Sequence, residues 1–318
     1  MKHVIDLQAV VPAELEGLWQ REVQLWREQL CWDVSARVAT FRRILERHGV
    51  QGVALRIGTQ TVGYAYYVIA GRLGVLAGLD IAPDWAGPEA GETLLKAVLH
   101  ALRQHDISRI ESPFVSFENF WLPAAFEAEG FRTYWREFLR IKPHEQPEPS
   151  SAPPQVHLEP WRDPHLSEAA EIMHAAYGGG VETEMSQLYR TVSGCRLVLE
   201  HILYQRNNGA PVDRASAFVR HRGQGVGFIM ITETAPRQGH LAQVVVHPAY
   251  QGQGVGQLLL NASFSQLAAL EFDTLSLIVS RCNARASRLY QTMGFQSVLA
   301  FPVFAWESDT SGAFRNRS

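Results

Sequence analysis

The chain has 318 residues, enough for two domains of about 150 residues each. With 46% hydrophobic and 19% charged residues it has the composition of an ordinary globular protein, and a net charge of −3 argues against a nucleic-acid-binding protein. The first residues lack the apolar segment of a signal peptide, and no run approaches the ~18 apolar residues of a membrane helix, so we expect no membrane partner. Three scattered cysteines are typical of a reducing compartment, which predicts a cytoplasmic location.

The first half predicts a helical segment followed by strands that alternate with helices. Apolar residues at helical spacing predict helices over 13–48, 92–105 and 119–129. Alternating apolar residues predict strands over 52–57, 62–69, 75–82 and 107–112. This order predicts an α/β (α+β) fold, with a mixed central sheet flanked by helices.

A proline-rich segment separates the two halves. Residues 142–154 contain five prolines, which favour an extended, semi-rigid linker without a core of its own. We therefore predict a first domain over 1–141 and a second over 155–318.

The second half opens with a short strand near 156–158. A helix is predicted over 167–177, with Ser167 as its N-cap, and three glycines at 178–180 end it. Helical spacing returns over 185–204.

A glycine-rich stretch at 222–227 has the spacing of a phosphate-binding loop. Strand-like segments flank it on both sides, over 215–220 and 228–232, and no helix follows. That context predicts a β-hairpin turn without a ligand.

The stretch 241–270 carries a stronger chemical signal. An apolar strand over 241–246 leads into a turn, a loop with three glycines, and a helix over 257–270. Strand, glycine loop and helix together present backbone N–H groups to an anion, and a glycine has no Cβ to hold a phosphate away. A tight structural loop is the alternative reading of these glycines alone.

A second element follows this loop. Residues 274–279 predict a strand, and Asn283 opens a helix over 284–293 that Gly294 ends. Asn283 and Tyr290 are two helical turns apart and therefore share one face.

Taken in order, the two elements resemble the GCN5-related N-acetyltransferase (GNAT) superfamily over roughly residues 155 to 307. Its loop pattern Gln/Arg-x-x-Gly-x-Gly/Ala is met by Gln251, Gly254 and Gly256, and its second element by Asn283, Tyr290 and the Gly294-Phe295 pair.

This resemblance implies an enzyme that uses acetyl-CoA and no metal. Main-chain groups of the strand would hold the pantetheine arm and the thioester carbonyl, and the loop amides would hold the pyrophosphate. Asn283 would bond the pantetheine or a water, or serve only as an N-cap. The expected cofactor-binding residues are Val244, Val245, Val246, Gln251, Gly252, Gln253, Gly254, Val255, Gly256 and Asn283.

The resemblance also suggests the catalytic groups. Tyr290 is the expected general acid, since a phenol with a pKa near 10 keeps its proton at neutral pH; a core aromatic is the alternative. His240 stands where histone-acetylating relatives carry a glutamate base, and Glu233 is its rival; either could be a solvated strand-end residue. Glu182 and Glu184 could attract a cationic acceptor or simply form an exposed acidic loop.

The first half repeats the landmarks of the second. The matched residues are Pro83 with Pro248, Trp85 with Tyr250, Gly87 with Gly252, Gly91 with Gly256, Asn119 with Asn283, Phe126 with Tyr290, and Gly130-Phe131 with Gly294-Phe295. This order predicts two tandem GNAT-like domains, a layout that resembles mycothiol synthase-like proteins.

The first half differs from the second at the positions of the glycine loop and of the expected general acid. Pro88 and Glu89 stand in place of Gln253 and Gly254, so this half lacks an amide donor and sets a negative charge where a phosphate would bind. Phe126 has no hydroxyl. We predict that the first domain keeps the fold without the catalysis.

The predicted function is acetyl transfer from acetyl-CoA to a primary amine by direct attack. The acceptor, a small molecule or a peptide, cannot be read from the sequence, and the chain is expected to be a monomer or a homodimer. The alternative is a non-catalytic acyl-CoA-binding or interaction protein.

Overall fold

A computed structural model describes residues 2–115, 117, 120–143, 155–205 and 209–308. Most of the predicted linker, and Asn119, lie outside these ranges. Within them the chain forms two compact units. Unit 1 comprises the residues up to Leu25, Val34–Tyr134 and those from Phe301 on, and unit 2 comprises Trp26–Asp33 and Trp135–Ala300.

The elements alternate as expected for a mixed α/β chain. The strands are β1 Lys2–Asp6, β2 Gln51–Ile57, β3 Gln60–Ala70, β4 Leu73–Ile81, β5 Arg109–Ser112, β6 Arg132–Ile141, β7 Val156–Pro160, β8 Ala210–Pro211, β9 Ala217–His221, β10 Gln224–Ala235, β11 Gln238–Val246, β12 Thr274–Ser280 and β13 Gln296–Glu307. The helices are α1 Glu16–Leu25, α2 Ser35–Glu46, α3 Pro88–Arg103, α4 Leu122–Ala128, α5 Leu166–Tyr177, α6 Val181–Met185, α7 Val192–Glu200, α8 Val255–Ala269 and α9 Ala284–Thr292.

Each unit has a mixed sheet in which one pair of neighbouring strands is parallel. In unit 1 the strands follow the order β1-β2-β3-β4-β5, with the end of β13 beside β5, and β4 and β5 are parallel. In unit 2 the order is β6-β12-β11-β10-β9-β7, with the short β8 also beside β10, and β11 and β12 are parallel. The predicted fold class is confirmed.

The units differ from the predicted domains in three segments. Residues 135–141 of β6 come from the first half of the chain but belong to unit 2, as do residues 26–33. Conversely, the residues of β13 from Phe301 onwards belong to unit 1. Sequence patterns predict whether a segment is a helix or a strand, but they do not predict which strand it pairs with. The exchange of these segments between the units therefore could not be predicted from the sequence.

The two units share the predicted internal repeat. A bulge in β4, opposite Tyr66 and Tyr67, matches a bulge in β11, opposite Met230 and Ile231. Each of these strands leads through a Pro-initiated 3-10 turn, Pro83–Trp85 or Pro248–Tyr250, into the next helix. The duplication is therefore visible in the fold as well as in the sequence.

Several local predictions are corrected. The predicted helix over 13–48 is broken at residues 31–34, where Cys31 has a φ of 58°. The N-cap of α5 is His165 and not Ser167, because the helix begins one residue earlier than predicted. The stretch 185–204 is divided into α6, a 3-10 turn, α7 and a final π turn.

The hairpin prediction is confirmed. A two-residue turn joins β9 to β10, with His221 opposite Gln224. Both turn residues, Arg222 and Gly223, have positive φ, the signature of a type I′ hairpin. This glycine stretch is therefore part of the sheet and not a phosphate loop.

Two hydrophobic clusters cover the opposite faces of the unit 2 sheet. One packs beneath α8 and α9 and includes Leu241, Leu277 and Tyr290; we call this side the α8 face. The other packs beneath α5 and α7 and includes Met230 and Val245; we call this side the α5 face. In the described ranges no helix is both long and apolar enough to cross a bilayer.

Candidate active site

Strands β11 and β12 separate beside the glycine loop. Their parallel ladder pairs only residues 238–241 with 274–277, although β11 continues to Val246 and β12 to Ser280. The bulge in β11 falls at Ala242, where this ladder ends. Backbone groups of Gln243 to Val245 on the β12 side are thus left for another partner, and a narrow slot opens between the strands.

The glycine loop has the geometry of an anion-binding turn. Gly252 and Gly254 have φ values of 78° and 83°, and Gly254 is the N-cap of α8. The first helical hydrogen bond runs from Leu258 N–H to the Gly254 carbonyl. Residues 252 to 257 donate no backbone hydrogen bond to any described residue, so their amides and the helix N-terminus are available to a phosphate.

Side chains brace this loop from both ends. The Gln251 Nε2 donates to the Val246 carbonyl at 3.0 Å, and the Gln253 Nε2 donates to the Ala249 carbonyl at 2.8 Å. The Gln251 Oε1 accepts a hydrogen bond from the Arg285 guanidinium. Arg285 also lies over Gly252, where an added Cβ would be 3.6 Å from its Nη2.

Arg285 was not identified from the sequence. It occupies the first turn of α9, one of several exposed arginines, and only the fold brings it over the loop. A cation at this place adds attraction for a pyrophosphate to the hydrogen bonds of the amides.

Tyr290 lies on the buried side of α9. Its ring is 6% exposed and contacts Phe295 edge-to-face, with centroids 5.6 Å apart. Burial raises the pKa of its phenol above the ordinary value. Its hydroxyl has no hydrogen-bond partner among the described residues.

Asn283 caps α9. Its Oδ1 accepts from the Ala286 N–H at 3.1 Å, which is the structural alternative considered for this residue. The cap uses the carbonyl side of the amide only, so the Nδ2 is still able to donate to a ligand.

His240 is sealed inside the α5 face. It is 4% exposed, its Nδ1 lies 3.1 Å from the Ser276 Oγ, and Trp32 contacts the imidazole edge-to-face at 4.7 Å. Burial, with a smaller contribution from Arg136, lowers the pKa of His240 to about 3. A weakly basic imidazole covered by Trp32 is poorly suited to take a proton from an acceptor, so the geometry does not support its assignment as the general base.

The buried imidazole has a measurable consequence for stability. Unfolded His240 binds a proton near pH 6.5 and the folded residue only near pH 3, so between these values the unfolded state binds more protons. Stability should therefore fall as the pH drops below 6.5, by on the order of 2 kcal/mol at pH 5 from this residue alone. Urea unfolding at pH 7 and pH 5 should show this loss in the wild type and much less of it in His240→Gln.

The exposed His157 provides the matched control. His157→Gln should keep the full loss of stability between pH 7 and pH 5, because it removes an exposed side chain and leaves the buried His240 in place. An identical pH dependence in the wild type and in His240→Gln would contradict the buried, uncharged state of His240.

Glu233 faces away from His240. Ile229 and Ile231 belong to the α8 face, and the alternation along β10 places Glu233 on that same side. Its Oε1 accepts from the Arg237 N–H at 2.9 Å, within the β10–β11 hairpin. This placement is that of a strand-end residue that braces a turn.

A pair of buried tyrosines lies on the α5 face beside the bulge. The Tyr177 hydroxyl donates to the Gln243 Oε1 at 2.9 Å, and the rings of Tyr177 and Tyr189 meet edge-to-face at 5.0 Å. Burial raises the pKa of Tyr177 well above its ordinary value, with smaller contributions from Tyr189 and from Glu182. The bulge turns Gln243 towards this face, which a strand pattern in the sequence could not reveal.

The corresponding region of unit 1 carries bulky side chains against the first turn of α3. Strands β4 and β5 separate in the same way after Val75, but an added Cβ at Gly91 would lie 2.1 Å from the Trp121 ring. Trp121 is 5% exposed, and the fully buried Phe126 stands in place of Tyr290. Pro88 occupies the first turn of α3 and has no N–H to offer a phosphate.

With this geometry established, comparison with known proteins gives a direct match. Residues 184–295, which include the slot, the glycine loop and α9, match the model of the acetyltransferase (GNAT) family. This segment is a GNAT acetyltransferase domain. The expected family resemblance is therefore confirmed for the part of the chain that carries the site.

Curated relatives share parts of the chain. It is 37% identical over 68 residues to a [ribosomal protein bS18]-alanine N-acetyltransferase of Haemophilus ducreyi, covering 21% of this chain and 47% of the relative. It is 26% identical over 173 residues to a mycothiol acetyltransferase of Propionibacterium freudenreichii, covering 51% of each. The chain thus matches about half the length of these two curated relatives.

Solved structures match nearly the whole chain. A GCN5-related N-acetyltransferase from Sphaerobacter thermophilus superposes with a TM-score of 0.69 at 15% identity, covering 96% of this chain and 95% of the other. A tandem GNAT protein from the clavulanic acid biosynthesis pathway gives a TM-score of 0.60 at 13% identity, covering 96% and 98%. At such identities the likeness establishes the fold, and that fold is the tandem GNAT arrangement.

Proposed function

We propose that the protein is an acetyl-CoA-dependent N-acetyltransferase that acts through unit 2 on a primary amine. The observation that carries this proposal is the slot between β11 and β12, which opens beside the unpaired amides of residues 252 to 257. The slot can admit a narrow chain such as pantetheine, and the amides can hold the pyrophosphate to which that chain is attached.

The residues present fit acetyl-CoA. Gly252 and Gly254 adopt left-handed conformations without a Cβ, so phosphate oxygens can approach the amides closely. Arg285 adds a positive charge above the loop. When bound, acetyl-CoA supplies the activated thioester. The unpaired backbone groups of Gln243 to Val245 would orient the pantetheine arm and the thioester carbonyl.

Tyr290 is assigned the role of general acid. An acyl transfer to nitrogen breaks the C–S bond, and the departing sulfur needs a proton. The phenol keeps its proton throughout the neutral range because burial raises its pKa, and its hydroxyl has no competing partner in the described part of the chain. It is therefore ready to donate when the thiolate leaves.

The acceptor approaches from the α5 face, beside Tyr177 and Gln243. Glu182, half-buried at the start of α6, contributes a negative charge to this place and would attract the ammonium form of an amine. The amine must lose one proton before its nitrogen attacks the carbonyl carbon, and Glu182 or a water beside it would take that proton. After the attack the nitrogen loses its second proton, which replaces the one that Tyr290 gives to the thiolate, so the products are the N-acetyl amine, the free thiol and one proton.

A thiol-release assay tests this function. The full chain is incubated with acetyl-CoA and a panel of primary amines, and free thiol is measured together with the N-acetyl product by mass spectrometry. We expect thiol release that depends on the amine and matches the product in amount. If acetyl-CoA binds without amine-dependent thiol release across the panel, the protein is the non-catalytic acyl-CoA-binding alternative.

A further inference from the structure

Two opposite charges act on the tyrosine pair without pairing with each other. One is Arg136 of β6 and the other is Glu182 of α6. Both influence the phenols of Tyr177 and Tyr189, whose pKa values are raised chiefly by burial. In the described part of the chain no ion pair joins the two charged groups.

The strand register fixes the position of Arg136. It lies opposite Ser280 in the antiparallel β6–β12 ladder. Its neighbour Leu139 belongs to the α8 face, and alternation therefore places Arg136 on the α5 face, on the same side as the tyrosines. The Ser280 hydroxyl in turn contacts the Met185 Sδ at 3.7 Å, which places this end of β12 beside α6.

Arg136 has unused hydrogen-bonding capacity. Its Nε is buried and has no partner, and none of the described carboxylates pairs with its guanidinium. Nearby cations are already engaged: Arg281 pairs with Glu137 at 3.0 Å, and Arg140 donates to the Gln29 carbonyl at 2.9 Å. A partly buried guanidinium without a counterion is costly unless a ligand supplies one.

Glu182 offers the complementary charge. It is half-buried, and its carboxylate has no salt bridge to any described residue. An amine bound near Glu182 would reach the slot past Tyr177, whose hydroxyl is held by Gln243 at the bulge. The site thus carries a negative and a positive group that both act on one aromatic pair.

We propose that the acceptor carries a carboxylate close to its reactive amine, as a free α-amino acid does, and that Arg136 binds this carboxylate while Glu182 holds the ammonium. The inference rests on the proposed acetyl transfer and names its substrate class. Arg136 is a binding residue, and its planar guanidinium can grip a carboxylate with two parallel hydrogen bonds.

Matched acceptors test this assignment. Each amino acid with a primary α-amine is compared with its carboxamide, which lacks the negative charge that Arg136 would bind, at a pH at which both amines are partly deprotonated. For those acceptors that react, we expect kcat/KM to be about 10- to 100-fold higher for the acid than for the amide, as for a lost charge-assisted hydrogen bond. Arg136→Gln should remove this preference, and Arg136→Lys should retain part of it.

Two further variants separate the contribution of Arg136 from those of a neighbouring arginine and of Glu182. Arg281→Gln removes a neighbouring positive charge that already has a partner, and it should leave the preference for the acid unchanged. Glu182→Gln should lower kcat/KM for the acid and the amide by similar factors, since both carry the amine. Thermal melts of each variant establish that it is folded before the comparison is made.

The contrary outcomes are distinct. Amides that react as well as the acids in the wild type, or an acid preference that survives in folded Arg136→Gln, would overturn the inference and leave the proposed acetyl transfer standing. So would a protein that binds acetyl-CoA and acetylates other amines but no free amino acid. A chain that does not bind acetyl-CoA in calorimetry would refute both.

Discussion

Replacing Gly254 with Glu should abolish the binding of acetyl-CoA. The residue is the N-cap of α8 with a φ of 83°, a conformation that costs an L-residue roughly 1–2 kcal/mol. A carboxylate about 4 Å from a phosphate adds up to roughly 4 kcal/mol at an effective dielectric of 20. Together these weaken binding by several powers of ten, since about 1.4 kcal/mol is tenfold. Isothermal titration calorimetry should detect one acetyl-CoA per wild-type chain and none in Gly254→Glu.

Gly254→Asn separates conformation from charge. Asparagine tolerates the left-handed conformation better than other residues with a side chain and carries no charge. It should weaken binding by about tenfold or less, the effect of a small backbone strain. If Gly254→Glu and Gly254→Asn bind acetyl-CoA equally well, repulsion between the carboxylate and the phosphate is not the cause of the weaker binding. A site that survives Gly254→Glu would place the bound cofactor elsewhere, with unit 1 as the alternative.

Tyr290→Phe should reduce kcat by about ten- to a thousandfold, because the ring stays and only the proton donor is lost. The ring packs against Phe295 within the core, so the fold is retained. The dissociation constant of acetyl-CoA should hardly change, since the phosphates are held at the glycine loop. Steady-state kinetics with a reactive amine, beside calorimetry with acetyl-CoA, measures both quantities.

Tyr204→Phe is the matched control. Tyr204 is 58% exposed beyond the end of α7, so removing its hydroxyl should leave kcat unchanged. An unchanged kcat in Tyr290→Phe as well would remove Tyr290 from the mechanism. A loss confined to acetyl-CoA affinity would indicate a binding role in place of proton donation.

The elements around the proposed cofactor site could be predicted from the sequence more completely than those around the proposed acceptor site. The glycine loop and Tyr290 were predicted from local signals, namely a turn and a helical repeat. The structure has a turn and a helix at these positions. Arg285 and Arg136 depend on which strands and helices meet, so their neighbours in the chain gave no indication of their positions. The bulge at Ala242 is likewise a property of strand pairing.

The prediction of His240 as a base illustrates the limit of spacing. Its distance from the glycine loop along the chain resembles that of a family position, but Trp32, some two hundred residues earlier, covers the imidazole. Burial then decides the chemistry, because a desolvated histidine stays neutral. Only the three-dimensional arrangement of residues 26–33 with β11 could reveal this.

The assignment of β6 to unit 2 means that the second half of the chain does not complete its own sheet. A chain cut at the proline-rich segment would leave β12 with a bare edge from Leu275 to Ser280, and such edges invite aggregation. It would also remove Arg136 from the acceptor side. The first half of the chain therefore supplies the strand that covers this edge, and the sheet of unit 2 depends on residues from both halves of the sequence.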